Sequence, residues 1–159
     1  VGPGWGIALG PAWRRDAPGM REEFIRGARC VLAALSRPEV AGAWDAPSVL
    51  ADQTVVSLAG HLARGGVWVV DDYLDWEAAT TADHPSVEAY YAWAATLDDA
   101  AHQALRDRGA ALAAEGHEAV VARLAARLPA LEARLATEPS DRILPVAGGT
   151  MALDAYSCS

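Results

Sequence analysis

The chain contains no lysine. All 13 of its basic residues are arginine, set against 21 aspartates and glutamates, for a formal net charge of -8. A surface of that sign argues against unspecific nucleic-acid binding. Cysteine is almost absent. Cys30 and Cys158 are too few and too far apart for a disulfide framework or a four-thiolate zinc site, and their usage points to a reducing cytoplasm. No apolar run is long enough to cross a membrane, and nothing near the N-terminus reads as a signal peptide. The expectation is a cytoplasmic protein with neither nucleic acid nor membrane as a partner. One further pattern is missing: no glutamate is followed four residues later by a histidine.

What the chain does have is alanine, leucine and valine. Hydrophobic residues make up 52% of it, mostly types that favour helix. Its length suits one domain with a real core. Residues 1–19 differ from the rest. They are dense in glycine and proline, carry Trp5 and Trp13, and cannot hold a regular helix. They read as a disordered extension, or as a segment that docks its tryptophans on the domain formed by residues 20–159.

The organising stretch runs from Trp44 to Arg64, WDAPSVLADQTVVSLAGHLAR. It opens as a loop, with Pro47 and Ser48 as turn formers and Trp44 as an aromatic plug for the end of a bundle. Asp52 or Thr54 caps a helix that continues to about Trp76. Val55, Leu58, Leu62 and Val69 form its expected buried stripe. His61 shares a side with Thr54, Leu58, Gly65 and Trp68, so it is expected to border that stripe. A lone helical histidine is more often an ordinary boundary residue than a ligand. Gly65 and Gly66 interrupt the helix and need a reason, either close packing or room for a ligand beside His61. Asp71, Asp72 and Asp75 read as a solvated face.

An earlier helix spans about Pro18–Ser36, with Phe24, Ala28, Val31 and Leu35 as its stripe and Cys30 buried or half-buried. His84 stands in an exposed turn. A third pass starts near Pro85 and runs to about Ala114, with Tyr91 and Trp93 off its stripe and His102 at the surface. A last run, about His117–Ala136, has the seam Val120, Leu124, Leu128, Leu131 and Leu135, with Pro129 as a kink. His117, Glu118, Arg123 and Arg127 look solvated. PSDRILPVAGG reads as a loop, and Thr150–Tyr156 as the start of a further helix.

The order of Trp44, Pro47-Ser48, Leu50, Thr54-Val55 and Leu58-Ala59-Gly60-His61-Leu62 resembles the mycothiol-dependent maleylpyruvate isomerase-like proteins, metal-binding members of the DinB-like four-helix group. The resemblance extends more diffusely over about Met20–Tyr156. It implies an all-α, antiparallel DinB-like four-helix bundle with the last helix truncated or missing. It also implies a divalent metal, zinc above all, with His61 as one ligand, and mycothiol as the thiol cofactor in an actinobacterial cytoplasm. In such proteins a glutamate and a histidine four residues later complete the metal site, and this chain has no such pair. One imidazole does not hold zinc tightly, because a catalytic site needs three protein ligands. Cys158 is the one local thiolate to weigh as a substitute. Glu115 and His117 do not face together.

The implied reaction is thiolate addition to a cis double bond, rotation and elimination to the trans isomer, the metal lowering the thiol pKa. Partners would be a small-molecule thiol and its substrate. The alternative is a shortened, non-catalytic helical domain that has lost the metal site and acts by self-association, as a homodimer, or by protein binding.

Overall fold

The structure, a computed structural model, describes residues 18–51 and 53–158. Trp5, Trp13 and Asp52 lie outside the described residues. Helix dominates, as the alanine- and leucine-rich composition favours.

Helix α1 (Pro18–Leu35) buries Ile25, Ala28 and Leu35 and packs along α7 (His117–Thr137), which buries the expected seam from Val120 to Leu135. Pro129 stands inside α7 without ending it. Cys30 is exposed rather than half-buried. It lies two residues from Ala28, which turns it about 200° away from the buried side. A short helix, α2 (Pro38–Gly42), follows α1.

The second pass is one continuous helical rod built from α3 (Val55–Ala63), a π turn (Arg64–Trp68) and α4 (Val69–Leu74). Thr54 caps it, its side chain accepting from the Ser57 amide at 3.3 Å. Its buried line is Ala59, Ala63, Val67, Val70 and Leu74. The expected stripe is therefore correct at Val69 but not at Val55 and Leu58, which are half-buried, or Leu62, which is 40% exposed. The reason is the approach of α6 (Asp99–Ala113), on which α3 packs. A Cβ built on Gly60 would fall 1.9 Å from the Gly109 carbonyl oxygen. Two helices that meet this closely bury their smallest residues, so Ala59, Gly60 and Ala63 face inward and the larger leucine faces out.

The third pass is broken. Helix α5 (Val87–Ala94) is capped by Ser86, and α6 restarts at Asp99 because the Asp98 carboxylate accepts from the Ala101 amide at 2.8 Å. A second cap inside an apolar run outweighs the continuity of the stripe.

The expected loop and helix start near the C-terminus form a hairpin instead. Strand β1 (Ile143–Val146) pairs antiparallel with β2 (Gly149–Ala152), and only one helical turn follows, α8 (Leu153–Tyr156). Gly148, with φ +77°, makes the tight turn, and alternation buries Leu144 and Val146. The 79–84 segment clasps the hairpin: the Ala79 amide donates to the Ile143 carbonyl at 3.0 Å and the His84 amide to Thr150 at 2.9 Å. Among the described residues no helix is long and apolar enough to cross a membrane.

Arginines close the helix ends. Arg21 bonds the Leu135 carbonyl, the Glu138 carbonyl at 2.8 Å and the Asp154 carboxylate at 2.7 Å, tying α1 and α8 to the end of α7. Arg142 donates to the Leu74 carbonyl at 2.8 Å and to Glu138 at 2.6 Å, which satisfies the end of α4. The aspartates of α4 are not a free wet face either. Asp71 is 9% exposed, Arg127 donates to it at 2.9 Å, and Arg134 bonds Asp75 at 2.7 Å.

Candidate functional site

His61 stands on the outward side of α3, exposed, its imidazole without a hydrogen bond among the described residues. It does not border the buried line as expected, because that line runs one position earlier through Gly60. Its backbone is held firmly. A Cβ built on Gly109 would lie 2.9 Å from the His61 nitrogen, so the main chains of α3 and α6 touch at this point. One turn further on, the rod widens into the π turn, where the Val69 amide reaches back five residues to the Arg64 carbonyl. Gly65 and Gly66 lie in that turn, and a Cβ on either would meet nothing within 4 Å. Close packing is thus not why they are glycine. The tight crossing is at Gly60 and Gly109.

Arg64 follows His61 by three residues and is half-buried, and Arg108 precedes Gly109 on α6. Burial raises the Tyr73 pKa, and the Ala147 amide, then Arg64 and Arg108, offset part of that rise. The Tyr73 hydroxyl accepts from the Ala147 amide at 3.1 Å, which joins this face to the hairpin turn. Arg64 also acts on Tyr156, whose pKa burial raises strongly with the neighbouring phenols Tyr73 and Tyr90 adding to it. Burial likewise raises Tyr90. The three phenols therefore stay neutral at physiological pH.

These tyrosines belong to an aromatic cluster. Tyr73 and Tyr156 have ring centroids 5.8 Å apart, Tyr90 and Trp93 5.6 Å, and His84 and Tyr90 5.5 Å. His84, expected in an exposed turn, is only 7% exposed. Its Nε2–H donates to the Gly148 carbonyl at 3.1 Å, and the proline after it does not force the ring outward. Trp93 packs against Gly148, where a Cβ would fall 2.0 Å from its ring; Tyr91 stays exposed.

The other candidate ligands are dispersed. His117, expected to be solvated, is half-buried, with Nε2 2.6 Å from the Leu35 carbonyl and its ring 5.3 Å from Trp44, which plugs this end of the helices. Glu115 pairs with Arg123, and His102 is exposed. The Cys158 thiol donates to the Asp154 carbonyl at 3.1 Å, and burial followed by the Asp154 charge raises its pKa, so it is not a thiolate at neutral pH. Among the described residues no three histidine, cysteine, aspartate or glutamate side chains are grouped to hold a metal ion. His61 supplies one ligand, and one imidazole with these surroundings does not fit a catalytic zinc by itself.

Pattern reading missed Arg64, Arg108, Tyr73 and Tyr156. A signal for the arginines exists: neither has a carboxylate three or four residues away on its helix. The chain matches no family model, no curated protein and no solved structure.

Proposed function

We infer that the chain is a DinB-like helical domain of the mycothiol-dependent maleylpyruvate isomerase type, in which His61 is one ligand of a divalent-metal site. The observation that carries this reading is the setting of His61. The signature stretch folds into a helix that presents the imidazole outward and unbonded among the described residues, one turn before a glycine-containing π turn with open space around it. Single π turns inside helices recur at functional sites. The remaining ligands must come from a second chain or another segment. The small thiol and its unsaturated substrate follow from the same resemblance.

The test is metal content. The purified chain, loaded with zinc and desalted, is expected to retain zinc in a fixed ratio, and His61→Ala is expected to lose it. Equal zinc in both, or none in either, rejects the reading.

The second reading, a non-catalytic domain acting by association, draws on the exposed Leu62 beside His61 and on Val49 and Leu50 at the tip of the preceding loop. It expects a zinc-independent dimer by light scattering that Leu62→Asp dissociates. A monomer at all concentrations rejects it.

A further inference from the structure

Helix α5 is attached differently from the helices around it. None of its residues is buried. Val87 and Tyr90 touch the core as half-buried side chains, and Trp93 packs against Gly148. Among the described residues, no hydrogen bond or ion pair joins residues 87–97 to the chain outside 86–97. The bonds this segment makes close its own ends. The Ser86 hydroxyl accepts from the Ala89 amide at 3.3 Å, and the Thr96 hydroxyl donates to the Trp93 carbonyl at 2.7 Å. The next helix then starts afresh at the Asp98 cap. Apolar and ring contacts on one side, at Val87, Tyr90 and Trp93, are what hold α5 down.

The surface beneath it is fixed without its help. The Tyr90 ring lies 5.5 Å from His84 and 6.2 Å from Tyr156, and the Trp93 ring lies 5.6 Å from His84. His84 and Tyr156 are both buried. The His84 amide donates to the Thr150 carbonyl at 2.9 Å and its ring bonds the Gly148 carbonyl at 3.1 Å. The Ala147 amide donates to the Tyr73 hydroxyl at 3.1 Å. None of these bonds involves α5. Few buried contacts and no bonds to the body mark a segment that opens on its own, ahead of the fold as a whole. A helix of eight residues is marginal in water once it is detached, so opening also frees its amides.

We propose that α5 is a lid that opens as a unit, hinged at Pro85–Ser86 and Leu97–Asp98, and uncovers His84 and Tyr156 while the hairpin and its clasp stay in place. The lid needs no metal at His61, so it stands or falls apart from the metal reading.

Native-state hydrogen exchange of the full chain tests it. The amides of residues 90–97 are expected to exchange together, about 100-fold or more faster than those of α7, at a rate nearly insensitive to dilute urea. The His84 amide is expected to stay slow. Acylation by diethyl pyrocarbonate gives a second readout. His84 should react about tenfold faster or more in Trp93→Ala than in the natural chain, with the exposed His61 and His102 unchanged. Tyr91→Ala, at an exposed position, should leave His84 as slow as before. The exchange measurement needs no variant, so it decides even where Trp93→Ala does not fold. Amides of α5 as slow as those of α7, or quickening with urea in step with them, overturn the proposal. A folded Trp93→Ala in which His84 reacts no faster overturns it too.

Discussion

The two halves of the second helical pass are chemically opposite. The α4 half carries Asp71, Asp72 and Asp75, and every one is held by Arg127 or Arg134 from α7. The α3 half and its π turn carry His61 and Arg64, and neither side chain has a hydrogen bond or ion pair among the described residues. The same rod therefore has one end whose charges are spent on holding helices together and one end whose charges are left open. Groups locked into ion pairs serve the fold. Groups held in place by main-chain packing, yet without a partner, are the ones available to a ligand.

The comparison can be broken most severely at the crossing. Gly60→Val places a side chain against the Gly109 backbone, which cannot yield, and is expected to cost about 3 kcal/mol or more by overpacking. Urea denaturation measures it, and a loss under about 1 kcal/mol would mean the helices separate easily at this point. Asp71→Ala removes the shared partner of Arg127 and Arg134. Because both arginines are about one-third exposed, the expected loss is about 2 kcal/mol, below that for a fully buried pair.

Alkali should act next, on the tyrosine cluster. Tyr73, Tyr90 and Tyr156 all have pKa values raised above the ordinary 10.0, chiefly by burial. Their neutral forms suit the folded state, so the stability they contribute is whole below the unfolded pKa and is lost as pH climbs through the folded ones. Denaturation midpoints should fall steeply once pH passes 10, with tyrosinate absorbance appearing together with unfolding. Ionisation well before unfolding would contradict the burial. The smallest effect sharpens the contrast between glycines. Gly65→Ala meets open space and should stabilise by roughly 0.5–1 kcal/mol, opposite in sign to Gly60→Val one turn away.

Much of the fold was legible because it rests on local periodicity. The α7 seam repeats every three or four residues and is buried as read. The helical stretch after Thr54 followed from the same logic, and Thr54 was one of the two caps the sequence offered. The inward face of α3 was not legible, because spacing marks apolar residues but not how closely a neighbour will approach; only the pairing with Gly109 makes Gly60 an inward residue. The hairpin was hidden for a similar reason. Residues 143–152 are short and glycine-containing, and their strand state is secured by bonds to Ala79 and His84, more than sixty residues earlier. At the site, His61 could be singled out from its motif. Its backbone contact with Gly109 could not, because that contact exists only through the crossing of two helices. Asp71 and His117 were read as wet for want of their distant partners, Arg127 and Leu35.

The central claim is that the open end of the rod, not the locked one, takes ligands. Heteronuclear NMR of the labelled chain, titrated with zinc, tests it most directly. The account expects shifts at His61 and its neighbours on α3, and none at Asp71, Arg127 or Arg134. Shifts confined to the α4–α7 ion pairs, or no shifts at all, would contradict it.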